Sequence, residues 1–341
     1  MKSQVFVLGP GYVGRAIIDL LHSEGKYEIT TLVRTEKALK DLSDDGANTV
    51  LGSLDDTNLI EQLAAQSDVV FHTATSDHLA SAQAILRGIA KRASQGKHTI
   101  YLHQSGASCL SDQSAGNNPN NEVYSDSTTA QIDTLSPTAP HRKIDLAIVE
   151  ERQKLGSLAR IFIWMPPIIY GNNGKHKRIS IQIPALTRFA LKNGHAGYVG
   201  TGKNAWSFIH VLDLAKAYTQ VLHWLETAPR SDLGLQNPYF FCESGEISWA
   251  DVASMIGKNL YRAGRIVSPE PHVISDSEYV DLFGKYTPDI VGCNSRSSAD
   301  RLRLMGWKPE QPDVQEAFEK EDLPLILLES RKFKPPNITL S

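Results

Sequence analysis

Short β-branched runs alternate with helical patterns over the first half of the chain. VFVL at 5–8, YEITTLV at 27–33, DVVFHT at 68–73, HTIYLHQ at 98–104 and ARIFIW at 159–164 are apolar runs of strand length, joined by segments with helical periodicity. That rhythm predicts βαβ units and a parallel sheet. Pro166 and Pro167 break it directly after ARIFIW. Beyond them, helical patterns near 182–192, 211–226 and 248–262 are separated by Gly- and Pro-rich loops, the expected place of a substrate lobe. Ser248 followed by Asp251 has capping-box spacing, which sets the start of the last of these helices. The polar stretch DQSAGNNPNNEVYSDST at 112–128 has a length that is uncommon in a loop unless it covers something. The pattern therefore predicts an α/β fold with a Rossmann-type doubly wound parallel sheet over 1–165. A smaller C-terminal substrate lobe, with segments returning to the core, is expected over 166–330, and 331–341 reads as a tail.

The strongest local motif is VLGPGYVGRAI at 7–17. Gly9, Gly11 and Gly14 form a GxGxxG between a strand and an apolar helix. Glycines at these points permit a tight turn and let the backbone approach a pyrophosphate, while Tyr12 and Val13 open a helix whose free N–H groups favour an anion. About twenty residues further on, a dinucleotide fold places the residue that reads the adenosine ribose. Here it is Arg34, with Lys37 nearby. A carboxylate there would repel a 2′-phosphate, whereas a guanidinium pairs with one, so NADP(H) is expected over NAD(H).

Bulk properties narrow the partners. The net charge of −3 comes with no basic run, which argues against nucleic acid and anionic membranes. No apolar stretch approaches membrane-spanning length, and MKSQ leads straight into a strand pattern, so a cytoplasmic location is expected. Cys109, Cys242 and Cys293 are widely spaced, with no CxxC and no metal-ligand spacing. They read as reduced packing residues, and no metal is expected. A small-molecule substrate remains as the partner, with a homodimer among the open assemblies.

With these motifs in hand, the chain resembles the extended short-chain dehydrogenase/reductases of the NAD-dependent epimerase/dehydratase branch, and most of all their atypical members. VLGSLDDTNLIEQL at 50–63 is similar to the third-strand segment, with Leu54 in the adenine-contacting place. DVVFHTATS at 68–76 resembles the fourth strand, whose Thr73, Ala74 and Thr75 would pass the cofactor phosphates and ribose. PPIIYG at 166–171 matches the turn beside the nicotinamide, which implies cofactor contacts for Pro166 and Ile168 and substrate contacts for Tyr170 and Asn172. WSFIHVLDLAKAY at 206–218 and MGWKP at 305–309 match two later motifs, with Trp206 implied in the substrate pocket.

The same resemblance implies a Tyr four residues before a Lys on the helix after the fifth strand, and a Ser at the end of that strand. The serine has two candidates in QSGASCL, Ser105 and Ser108. The pair has none: no tyrosine of the chain has Lys four residues later. HRKID stands in its place, with His141 for Tyr and Asp145 for Lys. Asp145, one helical turn from His141, would orient the imidazole and meet ribose hydroxyls, and a His–Asp pair would replace the acid. The alternative is that His141 only opens the helix, with Tyr124 from the long loop as another proton donor. Three functions follow: an NADPH-dependent reductase of a carbonyl compound, a catalytically silent NADP(H) sensor, and a nonredox lyase or isomerase that keeps the nucleotide as scaffold.

Overall fold

The protein is described by a computed structural model over residues 2–117 and 120–329. The tail expected at 331–341 lies outside the described residues. The strands of the two larger sheets are β1 (Ser3–Leu8), β2 (Tyr27–Val33), β3 (Asn48–Leu51), β4 (Val69–His72), β5 (Thr99–Gln104), β6 (Ala159–Trp164), β7 (Ile168–Tyr170), β8 (Ala205–His210), β9 (Tyr239–Phe240) and β10 (Gly245–Ser248). Seven form one parallel sheet in the order β3-β2-β1-β4-β5-β6-β9. Helices cover both faces, so strands such as β1 are buried on both sides and read as continuous apolar runs: Val5, Phe6, Val7 and Leu8 are all buried. The strand order reverses between β1 and β4, and a crevice opens there at the carboxyl ends of the strands.

The helices that matter for the site are α1 (Tyr12–Ser23), α2 (Glu36–Asp44), α3 (Thr57–Gln66), α4 (Leu79–Ser94), α5 (Arg142–Leu155), α6 (Gln182–Asn193), α7 (Val211–Thr227) and α8 (Trp249–Arg262). Ser248 caps α8 by accepting the Asp251 N–H at 3.1 Å. The second half of the chain does two jobs. Residues of α7, strand β9 and the 299–307 segment join the apolar interior of the main sheet. A second interior is built from β7, β8, α6 and α8, with Tyr170, Trp206 and Trp249 at its centre, and a small sheet β10-β8-β7 runs through it.

The sequence pattern shows no signal for β9, because a two-residue strand carries no periodicity. It is fixed by tertiary contact, the Ile163 N–H donating to Pro238 O at 2.8 Å and the Met165 N–H to Phe240 O at 3.0 Å. The 112–128 loop is held the same way: Tyr124–Ser125 pairs in parallel with Ser297–Ser298, and Asp112 accepts from Asn294 Nδ2 at 2.7 Å. The three cysteines are buried and free.

The His-Val-x-Asp stretch ends in a clamp. Buried Asp213, in the first turn of α7, accepts the N–H groups of Glu310 at 3.0 Å and Gln311 at 3.1 Å, fastening the segment after MGWKP to the core. Asp213→Ala strands both donors and should destabilise the protein by about 2–4 kcal/mol, whereas Asp213→Asn keeps one acceptor and should lose roughly half of that. Urea unfolding of the three proteins measures it. Equal midpoints for wild type and Asp213→Ala would remove the clamp.

Candidate active site

A cleft of about 470 Å³ lies at the reversal point of the sheet. Its floor is Leu8, Gly9, Pro10 and Gly11, one wall is Leu32 to Thr35 with Ala38, Asp41 and Leu42 of α2, and the other is Gly52 to Leu54 with Thr73, Ala74 and Thr75. Gly9 has φ +106°, and a β-carbon there would fall 2.2 Å from the Ala74 nitrogen. One at Gly14 would fall 2.1 Å from Gly9 O, the same oxygen that accepts the Thr73 hydroxyl at 2.8 Å. Gly11 is different: a β-carbon there meets no protein atom within 4 Å. The first two glycines serve close packing, and the third leaves open space before the free N–H groups of α1. That bare cradle at a helix N-terminus fits a dinucleotide pyrophosphate.

Arg34 lines the cleft at the tip of β2. Thr35 caps α2 by accepting the Ala38 N–H at 3.2 Å, so a second helix N-terminus lies there. Lys37 is not on the wall; its ammonium pairs with Asp41 at 2.7 Å and is largely exposed. Arg15, also on the wall, is neutralised by Asp45. Tyr12 and Val13 open α1 next to the cradle, and their side chains turn elsewhere. Val13 is core, and the half-buried Tyr12 donates its hydroxyl to Gly171 O at 2.5 Å, tying α1 to the end of the proline turn.

The wall formed by Thr73, Ala74 and Thr75 continues into an arrangement that sequence reasoning missed. Asp77, whose N–H donates to Thr75 Oγ1 at 3.2 Å, holds His141 Nδ1 at 2.6 Å. His141 precedes α5 with φ +66°, a left-handed conformation rare outside glycine, and its side chain makes no capping bond to the helix. The residue holds a strained backbone and turns its ring to an acid 64 positions earlier. The ring packs over Gly106, where a β-carbon would come within 3.3 Å of Nε2 and 3.6 Å of the Ser108 hydroxyl. His141, Gly106, Ser108 and Asp77 thus share one corner.

Asp145 is elsewhere. The expectation that it orients His141 gives way to Asp77, because the Asp145 carboxylate is fully buried and takes the Ser105 hydroxyl at 2.9 Å. Its second oxygen has no partner among the described residues, and Arg142 points away to the Tyr239 hydroxyl at 3.4 Å. Ser105 and Asp145 therefore pair with each other, below the corner that holds Ser108 and His141. Tyr124 is half-buried, and burial raises its phenol above the ordinary value.

The proline turn closes the opposite side: the Ser105 N–H donates to Trp164 O at 2.8 Å and the Ala107 N–H to Pro166 O at 2.9 Å, so Pro166 abuts the serine loop. Ile168 is buried in the lobe interior. Tyr170 donates to Pro312 O at 2.9 Å and Trp206 Nε1 to Cys293 O at 2.8 Å, both inside the lobe rather than on the cleft. The Asn172 N–H donates to Glu321 Oε2 at 2.8 Å, and its Oδ1 accepts the Gly174 N–H at 2.7 Å.

Burial raises the Asp145 carboxyl to about 6, only partly offset by the Ser105 hydrogen bond. In the unfolded chain the same group titrates near 3.8. Below both values it is protonated in either state and contributes nothing. Between them the folded state holds the extra proton, so this group lowers stability as pH rises from about 4 to 6. Asp145→Asn removes that slope, and its stability relative to wild type should grow across this window and level off above it. Urea unfolding from pH 4 to 7 reads the difference, and a gap independent of pH would contradict the burial argument.

The family model of the NAD dependent epimerase/dehydratase family matches residues 5–233. Among curated proteins, the oxidase ucsJ of Acremonium sp is 28% identical over 94% of this chain and 96% of its own length. Among solved structures, UDP-glucuronic acid 4-epimerase from Bacillus cereus, in complex with UDP-glucuronic acid and NAD, superposes with a TM-score of 0.67 at 14% identity, over 96% of this chain and 100% of its own. UDP-glucose 4-epimerase from Thermotoga maritima gives 0.65 at 13% identity, over 93% and 96%. These structures share the Rossmann-type fold. With the family model covering more than half of the sequence, the chain belongs to the NAD dependent epimerase/dehydratase family.

Proposed function

We propose that the protein is an NADP(H)-dependent oxidoreductase that reduces a carbonyl group on a small molecule, with His141 as proton donor. The observation that carries the reading is the Asp77–His141 pair at 2.6 Å, standing where the Thr73–Thr75 wall of the cleft runs out. The name oxidase borne by the Acremonium relative agrees with redox chemistry on this scaffold.

The cradle and Gly11 would hold the pyrophosphate, Leu54 the adenine, and Arg34 the ribose phosphate, with Pro166 beside the nicotinamide. Bound NADPH supplies a hydride to the substrate carbon. The chain supplies the proton. Asp77 fixes the imidazole through Nδ1 and leaves Nε2 beside Gly106 and Ser108. Nε2 hands its proton to the substrate oxygen as charge develops there, and the Ser108 hydroxyl donates a hydrogen bond to the same oxygen. Ser105 and Asp145 act beneath, holding the strand end against α5. The absent side chain at Gly106 makes room for the ring.

Cofactor choice is tested by titrating NADPH and NADH calorimetrically. Wild type should prefer NADPH, Arg34→Ala should lose about ten- to a hundredfold for NADPH alone, and Gly11→Val should bind neither while remaining folded. Equal affinities in the wild type would sink the preference.

The proton donor is tested by NADPH consumption over a set of aldehydes and ketones. His141→Phe should lower kcat about a hundredfold or more with NADPH affinity unchanged, and Asp77→Asn roughly tenfold. Full activity in His141→Phe would clear His141 of the role and put Tyr124 next. A wild type inert across the whole set would leave the sensor in front.

A further inference from the structure

The cleft has one wall residue from outside the nucleotide-binding half: Arg178, on the loop between β7 and α6. Sequence reasoning gives it no role. The loop reaches the cleft through a set of polar contacts to the helices that flank it. Asp19 of α1 receives His176 Nε2 at 2.8 Å, Asn173 Nδ2 at 3.3 Å and Lys175 Nζ at 3.3 Å. Asp45, at the end of α2, takes Lys175 at 2.9 Å, and that hydrogen bond holds its carboxyl below the usual range. Inside the loop, Asn173 Oδ1 accepts the His176 N–H at 2.9 Å. Lys177 then turns the chain with φ +48° and delivers Arg178 to the cleft.

The charges on that wall divide into used and free. Arg15 is committed to Asp45, and Asp41 to Lys37. Arg178 and Arg34 line the same cleft, and neither bonds a carboxylate among the described residues. Two guanidinium groups without counter-ions on one cleft make it attractive to an anion. The nucleotide-binding half supplies one and the lobe supplies the other.

We propose that Arg178 is a second ligand for the 2′-phosphate of the adenosine ribose, so that the phosphate is gripped by Arg34 from β2 and by Arg178 from the lobe, with Asp19 and His176 positioning the loop. The proposal rests on the NADP(H) reading above. It makes NADP(H) selectivity a property of both halves of the molecule, and it predicts that the lobe loop discriminates nucleotides by one phosphate group.

Calorimetry with 2′,5′-ADP and 5′-AMP separates this from the reading it rests on, since the two probes differ only in the 2′-phosphate. Wild type should bind 2′,5′-ADP more tightly. Arg178→Ala, an exposed substitution whose folding is checked by its melting temperature, should weaken 2′,5′-ADP by about tenfold or more and leave 5′-AMP within about twofold. His176→Ala should lose part of the same discrimination. If Arg34→Ala loses it and Arg178→Ala does not, the proposal fails while the cofactor reading stands. If Arg178→Ala weakens both probes equally, the side chain serves the 5′-phosphate and the proposal fails too. A wild type that binds both probes alike overturns the NADP(H) reading itself.

Discussion

The close approach of three backbone segments at Gly9, Gly14 and Thr73–Ala74 governs what the rest of the molecule can do. Gly9 O receives the Thr73 hydroxyl at 2.8 Å, and neither Gly9 nor Gly14 has room for a single methyl group. Because these contacts bring the start of α1 down between β1 and β4, its free N–H groups point into the crevice where the strand order reverses. The same approach sets the path of the 73–77 segment, and so the position of Asp77. One packing constraint thereby fixes both a cradle for phosphate and the acid that holds the imidazole.

The pairing of acids around HRKID illustrates how burial sorts similar residues into different work. Asp77 and Asp145 both lie close to His141, yet Asp77 stays partly exposed and Asp145, on α5, is sealed against the end of β5. A carboxylate without solvent needs hydrogen-bond donors, and Ser105 is the one it has. Helical spacing made Asp145 the natural partner of His141, since residues four apart share a face. The left-handed backbone at His141 defeats that expectation, because the ring leaves the helix face for Asp77 on the loop after β4.

Much of the fold was legible because its determinants are local. Five strands, the glycine cradle and the Ser248 cap each follow from a few neighbouring residues, and Arg34 is found by counting from the glycines. What stayed hidden depends on distant partners. β9 is two residues long and exists through its pairing with β6. Asp77 meets His141 across 64 positions and Arg178 joins Arg34 among the residues lining the cleft, with no repeat or spacing to announce either. Tyr170 and Trp206 lie in the motifs that resembled a pocket, but their polar atoms bond to lobe carbonyls, so the motif marks the architecture around the site rather than its wall.

The seams between the main sheet and the second half share a chemistry that explains why the site holds its shape. Asp126 accepts the N–H groups of Phe241 and Arg301, each at 3.0 Å, and Asp322 accepts that of Gly171 at 3.2 Å. Both are fully buried, and desolvation lifts each carboxyl to about 6. Asp213 does the same for Glu310 and Gln311. A buried carboxylate that accepts backbone N–H groups fixes geometry more tightly than apolar contact, because a small displacement leaves both charge and donor unsatisfied. Such joints tie the proline turn, the long loop and the C-terminal segments to the nucleotide-binding half without a long hinge. Gly171, held by Asp322 through its N–H and by Tyr12 through its carbonyl, is where that rigidity reaches the cradle. The loop carrying Arg178 begins at the next residue, so its placement over the cleft inherits the precision of the joint beneath it.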